Sequence, residues 1–347
     1  MQFTLVSTVF NEISRLGQTI ADIEAQSLPP DQIVITDAGS NDGTYEKLIQ
    51  WKAASLIPIL ILREKGCNVA RGRNLAIEAA QYDLIVSTDF GCRFHPKWLE
   101  SIISEFRKSE SSLNSKKNGS ETLVAGGTYT VTENSIQTFA AKANYILTRA
   151  YKLDVESWFI PSSRSIAYFK KVWDEVGGYP EWLTLAGDDL VFGMKLRAKG
   201  YKWAIVDKPY VYWLRHQNAN GYSKESFRYG LGDGEARVNL RNSTVLLAET
   251  LLRYSFLPAL VFILTGHIWF FCIVGITLAG FRPYWNTLRN WLFLKSDKYN
   301  FGIFLYSLYL LERNRFSYLK GYFKGYFLSN SKVKAERAKL KAFLNHQ

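Results

Sequence analysis

The chain has 347 residues, which is long enough for one large domain with an appendage or for two domains. Its residues are 47% hydrophobic and 21% charged with a formal net charge of +12, a composition that excludes a disordered protein and fits a globular or membrane-associated one. The three cysteines, Cys67, Cys92 and Cys272, are far apart and form no C-x-x-C pair, which argues against a disulfide framework and a zinc site and fits a reducing compartment.

The chain up to residue 88 alternates between strand and helix patterns. Its N-terminus has no basic segment ahead of the first apolar residues, so we expect a first strand there and not a signal peptide. Because strands that alternate with helices usually pair in parallel, the pattern predicts an α/β fold with a mostly parallel, doubly wound sheet. The expected strands are Phe3–Phe10, Ile33–Thr36, Ile57–Leu62 and Leu84–Thr88, and the expected helices are Ile13–Gln26, Asp42–Ala54 and Val69–Ala80.

Two aspartates follow directly after expected strands. Asp37 ends the apolar run that begins at Ile33 and precedes a turn rich in Gly, Ser, Asn and Asp, and Asp89 follows Thr88. Ligands bind beside the carboxyl ends of the strands in an open α/β sheet, so we expect Asp37 and Asp89 to converge on one crevice. A carboxylate at that edge suits a ribose hydroxyl or a base N–H. The alternative is that Asp37 and Asp42 only cap the turn and the next helix.

The middle of the chain predicts further helices and strands and two irregular segments. The polar segment Ser109–Ser120 predicts a mobile surface loop, and Gly230–Gly234 predicts a flexible hinge at the end of a domain. Asp188 and Asp189 begin an expected helix, where paired carboxylates complement the helix dipole, and this effect alone accounts for them. The other expected elements are helices Pro96–Arg107 and Ser135–Ala150 and strands Leu123–Val131 and Pro161–Tyr168.

Five groups of residues carry a resemblance to a known family. In chain order they are Thr8-Val9-Phe10-Asn11-Glu12, Asp37-Ala38-Gly39-Ser40-Asn41-Asp42-Gly43-Thr44, Gly66 with Arg71-Gly72-Arg73-Asn74, Thr88-Asp89-Phe90-Gly91 with Pro96-x-Trp98-Leu99, and Gly177-Gly178-Tyr179 with Asp188-Asp189. In order and spacing, these groups resemble the motifs of family 2 glycosyltransferases of the GT-A fold. The resemblance covers the chain from about residue 2 to residue 240 and implies a Rossmann-like domain that uses a nucleotide-sugar donor.

The resemblance also implies roles for single residues. Asp37 would bind the base or ribose of the donor, Arg73 would lie near the base or diphosphate, and Asp89 would mark the sugar and metal region. Asp189 would be the general base that deprotonates the acceptor hydroxyl, with Asp188 as the other member of the acidic pair. The full set of residues expected to bind the donor is Thr8, Glu12, Asp37, Arg73 and Asp89.

The chain departs from the family's motifs where a metal ion is expected. Gly91 stands in place of the second aspartate of the Asp-x-Asp motif, and Asp188 replaces a glutamate. The leaving diphosphate carries about two negative charges, so a divalent cation or Arg and Lys side chains must stabilise it. We expect Mg²⁺ or Mn²⁺ at Asp89, with His216 as a supplementary ligand. The alternative is that His216 is an ordinary surface residue.

Two further segments have positions of interest in the resemblance. Ser162, Ser163 and Arg164 precede the Gly-Gly segment, where we expect either a wall of the acceptor site or a simple turn before a strand. Family 2 enzymes often close the donor site at the positions of Trp213, Arg215, Arg228, Tyr229 and Asp233.

The C-terminal part of the chain predicts a helical, membrane-associated region. Tyr254–Phe281 contains no Asp, Glu, Lys or Arg and is longer than the roughly 20 apolar residues that span a bilayer. Residues 282–347 hold 13 Lys and Arg but 3 Asp and Glu. Because these charges follow a hydrophobic segment, we expect an anionic membrane surface as the partner and no nucleic acid. The alternative is a solvated basic tail.

Basic residues flank the uncharged segment on both sides, which favours a hairpin or re-entrant segment with both flanks in the cytoplasm. The apolar segment Asn300–Leu311 is too short to span a bilayer, so we expect it to lie in the interface, with Arg313, Arg315, Lys320 and Lys324 on the headgroups. The expected organisation is a GT-A domain over residues 1–245 and a membrane region over residues 246–347. The catalytic domain is expected on the cytoplasmic side of the cell membrane.

These observations predict an enzyme that moves a sugar, with inversion, from a nucleotide-sugar to an acceptor hydroxyl. Membrane attachment suggests a lipid-linked or cell-surface polysaccharide as the glycan acceptor. Two alternatives remain open. In a polyprenyl-phosphate glycosyltransferase the phosphate itself attacks and no strong base is needed. A non-catalytic membrane scaffold would keep the fold and only bind the nucleotide-sugar.

Overall fold

The computed structural model describes residues 1–114, 122–148, 159–255, 278–294, 296–328 and 330–345. Contacts divide the chain into two units. The first unit comprises Met1–Thr132, Tyr151–Leu214 and Ser329–Gln347, and the second comprises Glu133–Ala150 and Arg215–Leu328. The boundary expected after residue 245 falls inside the helix Leu240–Tyr254, so it does not coincide with this division.

The elements of both units follow in chain order. The strands are β1 (Phe3–Val9), β2 (Gln32–Asp37), β3 (Ile59–Arg63), β4 (Leu84–Ser87), β5 (Cys92–Phe94), β6 (Val124–Thr130), β7 (Ile166–Phe169) and β8 (Ala204–Trp213). The helices are α1 (Ile13–Glu24), α2 (Thr44–Ala54), α3 (Val69–Glu78), α4 (Trp98–Asn114), α5 (Phe139–Thr148), α6 (Lys170–Glu175), α7 (Asp188–Ala198), α8 (Ala219–Ala236), α9 (Leu240–Tyr254), α10 (Arg282–Leu294), α11 (Phe301–Tyr326) and α12 (Ser331–Asn345).

The first unit is built on one sheet whose strands lie in the order β3-β2-β1-β4-β7-β6-β8-β5. In its first half β1 is parallel to β2 and β4, and β2 is parallel to β3. The parallel α/β arrangement predicted for residues 3–88 is therefore confirmed. Because β2 and β4 flank β1, Asp37 at the end of β2 and Asp89 just after β4 lie at the same edge of the sheet.

Apolar side chains from both faces of the sheet form two separate cores. Leu5 belongs to a core with residues of α1, α2 and α4, whereas its neighbour Val6 belongs to a core with residues of α3, α6 and α7. Successive side chains of a strand point to opposite faces, so the unbroken apolar runs of β1 and β2 reflect burial on both sides. The helices therefore cover both faces, as a doubly wound fold requires.

The second half of the sheet is mixed, and the expectation of a mostly parallel sheet is wrong there. β7 is antiparallel to both β4 and β6, and β5 is antiparallel to β8, whereas β6 and β8 are parallel. The sequence analysis missed β5 and β8. β5 has three residues, which is too short to show a strand pattern. A strand pattern reports burial and not the partner strand, so the pairing direction needed the structure.

Helix α4 continues further than its pattern suggested. It extends to Asn114, so the expected loop over Ser109–Ser120 is wrong for its first six residues. Serine and asparagine lower helix propensity by only a few tenths of a kcal/mol per residue, so they do not end a helix that has already formed. Residues 115–121 lie outside the described part of the chain.

The basic C-terminal segment folds back onto the first unit as helix α12. Val333 and Leu340 of this helix are buried, and Phe343 packs at the core that α7 helps to form. Lys195 of α7 and Lys199, the residue that follows this helix, lie over the ring of Phe343. The segment is therefore a helix whose apolar side chains bind α12 to α7, while the lysines of α12 are exposed.

The second unit contains a close crossing of α8 and α11. A Cβ atom at Gly230 or Gly234 of α8 would collide with the backbone of α11, and one at Gly321 or Gly325 of α11 would collide with the backbone of α8. Each helix thus carries a Gly-x-x-x-Gly pair that lets the two backbones touch. The expected hinge over Gly230–Gly234 is wrong, because these glycines serve packing inside a helix.

A network of ion pairs joins α9 to α10 and α11 in the same unit. The Glu249 carboxylate lies 2.6 Å from Arg282 Nη2 and 2.8 Å from Arg315 Nη2. Arg253 Nη2 lies 2.8 Å from Glu312 Oε1 and, through Nη1, donates to the Gly280 carbonyl. Arg315, which the sequence suggested as a contact for headgroups, is therefore held by the protein itself.

Among the residues that the structure describes, no helix is long and apolar enough to cross a membrane. The uncharged segment Tyr254–Phe281 lies mostly outside them, because residues 256–277 are not part of the description.

The glycine crossing predicts a contrast between two Gly→Ala substitutions in helices. Gly230→Ala places a methyl group against the carbonyl oxygen of Tyr318, and such overpacking costs typically about 1–3 kcal/mol of unfolding free energy. Gly17→Ala on the exposed side of α1 meets no atom within 4 Å and should stabilise the chain by roughly 0.5–1 kcal/mol. Thermal unfolding of both variants measures the difference. A Gly230→Ala variant as stable as the parent would contradict the crossing.

Candidate functional site

The Asp37 carboxylate closes the turn after β2. Asp37 is fully buried, and its Oδ2 accepts from the backbone N–H of Gly39 at 3.0 Å and of Ser40 at 2.8 Å. Gly39 has φ +92°, and its Cα approaches Lys65 so closely that a Cβ would lie 2.9 Å from Lys65 Cγ. The turn-capping interpretation of Asp37 is therefore confirmed. A role of Asp37 in binding the donor stays a prediction. Its Oδ2 already accepts the two hydrogen bonds of the turn.

Thr8 and Glu12 lie near this turn at the carboxyl end of β1. Thr8 Oγ1 donates to the Thr36 carbonyl at 3.2 Å, and a Cβ at Gly72 would collide with it, so α3 passes directly over β1. Burial raises the pKa of the Glu12 carboxyl, and the negative charge of Asp89 raises it further although Arg15 lowers it. Glu12 and Asp89 are thus close enough to interact.

Arg73 joins two of the predicted site residues. Its side chain is buried, with 3% of the residue exposed, and its two terminal nitrogens donate to Asp89 Oδ1 and Asp188 Oδ2. These carboxylates come from the end of β4 and the start of α7, which are far apart in the chain. The structure therefore brings Asp89, Arg73 and Asp188 into one ionic group. The predicted role of Arg73 beside the base or diphosphate has less support, because both terminal nitrogens bind carboxylates.

The two carboxylates of this group have opposite pKa shifts. Burial raises the pKa of Asp89, but the positive charges of Arg73 and Arg164 outweigh it, so the pKa lies below its usual value. Burial raises the pKa of Asp188 to about 6, and the negative charges of Asp189 and Asp89 oppose the lowering by Arg73. Asp89 is therefore ionised at neutral pH, whereas Asp188 titrates just below it.

A chain of hydrogen bonds connects Asp189 with Arg164. Ser162 Oγ donates to Asp189 Oδ2 at 3.0 Å and accepts from Arg164 Nη1 at 3.0 Å. Arg164 Nε lies 3.8 Å from Asp89 Oδ2, so this guanidinium stands between the two aspartates that the sequence assigned to donor and acceptor. The expected acceptor wall at Ser162 and Arg164 thus lies in the site, although its role towards an acceptor is untested.

Aromatic rings hold Arg164 in this position. Its guanidinium carbon lies 4.2 Å from the centre of the Trp213 ring and 5.2 Å from that of Tyr129. The carbonyl of Arg164 accepts from Thr88 Oγ1 at 2.9 Å, which fixes the backbone beside Asp89. The sequence offered no signal for this stacking, because Tyr129 and Trp213 lie on β6 and on β8, a strand that the sequence analysis missed.

The segment Gly177-Gly178-Tyr179 contacts the residues that carry the site. Asn74, the residue after Arg73, accepts through Oδ1 from the backbone N–H of Tyr179 at 3.0 Å and donates through Nδ2 to the Tyr179 carbonyl at 3.0 Å. The Tyr179 hydroxyl lies 3.0 Å from Ser163 Oγ, and its ring lies 5.4 Å from the Arg73 guanidinium carbon. These contacts tie three motifs of the sequence to one another.

His216 belongs to the second unit, apart from the residues above. Its Nε2 lies 3.9 Å from Glu225 Oε2, and its ring packs edge-on to Tyr222. Asp233 also belongs to this unit, where its Oδ2 accepts from the Tyr318 hydroxyl at 2.6 Å and from Asn239. The supplementary-ligand role of His216 stays a prediction.

The fit of a divalent cation rests on Asp89. Within the described ranges, no group of three or more His, Cys, Asp or Glu side chains is arranged to hold a metal ion. Asp89 Oδ1 binds Arg73, whereas its side chain is 32% exposed and its Oδ2 faces Arg164 at 3.8 Å. A Cβ at Gly91 would meet only Arg15 Nη1 at 3.9 Å, so there is space for an aspartate at this position. The site thus offers one carboxylate oxygen to a cation.

The comparison with known families agrees with this arrangement of motifs. Residues 4–150 match the family model described as glycosyl transferase family 2. The matched segment is less than half of the chain. It runs from β1 through α5 and includes Asp37, Arg73 and Asp89. The resemblance noted from the motifs is therefore confirmed.

Two curated relatives carry glycosyltransferase names. Glycosyltransferase AglE of Haloferax volcanii is 23% identical over 188 residues, which cover 53% of this chain and 58% of the relative. The O-antigen chain rhamnosyltransferase RfbN of Salmonella typhimurium is 26% identical over 241 residues, which cover 66% of this chain and 70% of the relative. The chain thus matches less than two thirds of the length of AglE.

Two solved structures that resemble the chain contain a nucleotide or a nucleotide-sugar. S. aureus TarS 1–349 in complex with UDP is 15% identical, covers 95% of this chain and 93% of its own, and has a TM-score of 0.46. The mannosyltransferase PcManGT from Pyrobaculum calidifontis, in complex with GDP-Man and Mn²⁺, is 14% identical, covers 97% and 87%, and has a TM-score of 0.49. Similarity at this level assigns no residue of the site.

The raised pKa of Asp188 predicts a pH dependence of stability. Because the folded pKa of about 6 lies above the ordinary value of 3.8, the folded chain binds a proton more tightly than the unfolded chain. The contribution of Asp188 to stability is therefore fully present at low pH and is lost as pH rises through about 6. The free energy of unfolding of the parent, minus that of Asp188→Asn, should rise between pH 7 and pH 4.5, with an upper limit of roughly 3 kcal/mol.

Denaturant unfolding at several pH values measures this difference. The subtraction removes the opposite trend that the lowered pKa of Asp89 imposes on both proteins. An equal dependence on pH in the two proteins would show that Asp188 titrates normally and that Arg73 does not lie in a buried group with it.

Proposed function

We propose that the protein transfers a sugar from a nucleotide-sugar donor to an acceptor hydroxyl with inversion. The observation that carries this proposal is the assembly of Asp89, Arg73 and Asp188 in one ionic group, with Asp189 beside it through Ser162 and Arg164. In such a reaction the acceptor oxygen bonds to the anomeric carbon, the bond from that carbon to the diphosphate breaks, and a base takes the hydroxyl proton.

Asp189 is the better candidate for this base. Asp188 is buried and binds Arg73, so it has little access to an acceptor. Asp189 is only partly buried, and it accepts from Ser162 and from the backbone N–H of Leu190. Those hydrogen bonds fix the orientation of its carboxylate, which a general base needs. Asp188 is then a positioning residue that acts through Arg73.

Arg164 is suited to stabilise the leaving diphosphate. Its side chain is 15% exposed and lies beside Asp89, where the resemblance to the family locates the donor. A positive charge in a partly buried site stabilises a developing negative charge more strongly than it would in water. Stacking on Trp213 fixes the guanidinium in advance. Arg164 thus supplies part of the positive charge that a metal ion held by a second aspartate would otherwise provide.

A divalent cation, Mg²⁺ or Mn²⁺, fits the exposed oxygen of Asp89. Mg²⁺ commonly keeps several waters and takes one or two carboxylates together with substrate phosphates, so a single aspartate suffices as a protein ligand. When bound, the cation would supply Lewis-acid stabilisation of the diphosphate oxygens. Asp89 holds the position of the cation, while Arg73 keeps the Asp89 carboxylate ionised and oriented.

The distribution of apolar and basic residues near the C-terminus supports a proposal for the location of the protein and for its acceptor. The uncharged segment Tyr254–Phe281 and the basic residues after it support attachment to an anionic membrane, with the catalytic domain on the cytoplasmic side. A lipid-linked or cell-surface polysaccharide acceptor fits this location. The partly exposed Asp189 favours a hydroxyl acceptor, which needs a base, over a polyprenyl phosphate. An assembled set of three carboxylates and two arginines disfavours the non-catalytic scaffold.

The proposed base predicts a selective loss of turnover. Thermal-shift screening with UDP-, GDP- and dTDP-sugars identifies the donor, and hydrolysis of that donor without acceptor then reports turnover. Asp189→Asn should lower kcat about 10²- to 10⁴-fold, because the variant cannot accept the proton, while donor affinity stays unchanged. Asp174→Asn, at an exposed position of α6, is the matched control and should leave kcat unchanged. Undiminished kcat in Asp189→Asn would exclude this residue as the base.

The proposed role of Arg164 predicts a second loss with a different dependence on metal ions. Arg164→Gln should lower kcat about 10²- to 10³-fold, because the diphosphate loses a preorganised charge, and Arg164→Lys should keep more activity. Arg197→Gln is the matched control, since Arg197 also stacks on a tryptophan, Trp203, and donates to a carbonyl. Equal activity of the Arg164→Gln and Arg197→Gln variants would refute the role.

Gly91→Asp in the Arg164→Gln background tests whether the two charges substitute for one another. A side chain fits at residue 91, so the double variant should fold. It should recover part of the lost kcat and require more Mn²⁺ to do so. No recovery at any Mn²⁺ concentration would separate the function of Arg164 from that of the cation.

A further inference from the structure

Helix α10 exposes large apolar side chains together with arginines. Trp285 is 65% exposed, Phe293 67% and Leu292 55%, and Arg282 and Arg289 are also exposed. At 100° per residue these five positions fall on about one third of the helix surface. The opposite face, with Thr287, Asn290 and Trp291, is buried in the second unit. The exposed face of α10 therefore presents neighbouring apolar side chains to solvent, which is unfavourable unless a partner covers them.

Helix α11 continues this pattern after a short connection. Its exposed large apolar residues are Phe301, Leu305, Tyr309, Phe316, Phe323 and Phe327 at the helix end. Their spacing of four or seven residues makes one stripe along the helix. Trp291 of α10 packs against Phe301 at 6.0 Å, so the exposed residues at the end of α10 and the start of α11 are neighbours. We call Arg289, Leu292, Phe293, Lys298, Phe301 and Leu305 the α10–α11 corner.

Most of the exposed charges on these helices and their connection are positive. Arg289, Lys298, Lys320 and Lys324 are exposed cations. In the described residues of 282–326 the acidic side chains are Asp297, which is exposed, and Glu312, which is engaged by Arg253. A surface that combines aromatic and basic side chains matches the chemistry of an anionic lipid interface, where rings enter the headgroup region and cations bind the phosphates.

We infer that the α10–α11 corner inserts into the surface of an anionic lipid bilayer. A second copy of the chain is the less suitable partner, because a symmetric dimer through this surface would bring the exposed cations of both copies together. The inference rests on the proposal that the acceptor lies at a membrane. It is tested by binding and not by turnover, so it can fail while the transferase activity stands.

Local probes separate insertion of the corner from attachment through the uncharged segment. Phe293→Cys carries a polarity-sensitive fluorophore in the full chain, with Cys67→Ser and Cys272→Ser to prevent labelling elsewhere. Leu56→Cys, at a fully exposed position of the first unit, is the control. With vesicles of phosphatidylcholine and phosphatidylglycerol, the probe at 293 should shift to the blue and be quenched by brominated lipids. The probe at 56 should do neither.

Two results would overturn the inference. One is a probe at residue 293 that stays open to aqueous iodide when the protein is bound to the vesicles, because the corner would then face water. The other is protection of this probe at rising protein concentration without lipid, which would identify a second copy as the occupant.

The cations give an independent measurement. Each exposed Lys or Arg near an anionic surface contributes about fivefold in vesicle affinity. Arg289→Gln should therefore raise about fivefold the lipid concentration at which half of the blue shift at residue 293 is reached. Added salt screens the charges and should abolish this difference. Lys52→Gln on α2 is the matched control and should leave the titration unchanged. Equal titrations for Arg289→Gln and Lys52→Gln would show that the corner does not contact anionic headgroups.

Discussion

The buried guanidinium of Arg73 is the interaction on which the site depends. It binds Asp89 after β4 and Asp188 at the start of α7, residues that are 16 and 115 positions away from it. Removing one partner of a buried ion pair costs typically about 3–5 kcal/mol, because the remaining charge stays buried without compensation. Both carboxylates therefore require Arg73 in place, and this requirement brings the carboxyl end of β4 and helix α7 together.

The same group explains why two adjacent aspartates have different chemistry. Burial raises the pKa of Asp188, which binds Arg73. Asp189 is partly exposed, and Ser162 orients its carboxylate. Neighbouring residues at the start of a helix point in directions about 100° apart, so one carboxylate faces the interior and the other faces the site. A single helix start thus provides both a buried anchor and a more accessible carboxylate, which is the base that we propose.

The second unit combines several kinds of contact between its helices. Paired glycines bring α8 and α11 into backbone contact, Glu249 binds arginines of α10 and α11, and apolar side chains such as those of Trp291 and Phe304 form a buried core. Other rings, such as those of Trp285 and Phe293, lie on the surface. These exposed rings, together with exposed cations, are the physical basis for inferring a lipid surface as partner.

The sequence by itself determined the βαβ arrangement of the first 88 residues, the aspartates at the strand ends and the family, because apolar runs, turn residues and motifs are local features of the chain. Only the tertiary structure decided the mixed half of the sheet, the helix at Gly230–Gly234 and the return of α12 to α7. These depend on which distant segments meet. The position of Arg164 between Asp89 and Asp189 is of the same kind, since Trp213, the ring that holds it, lies on another strand.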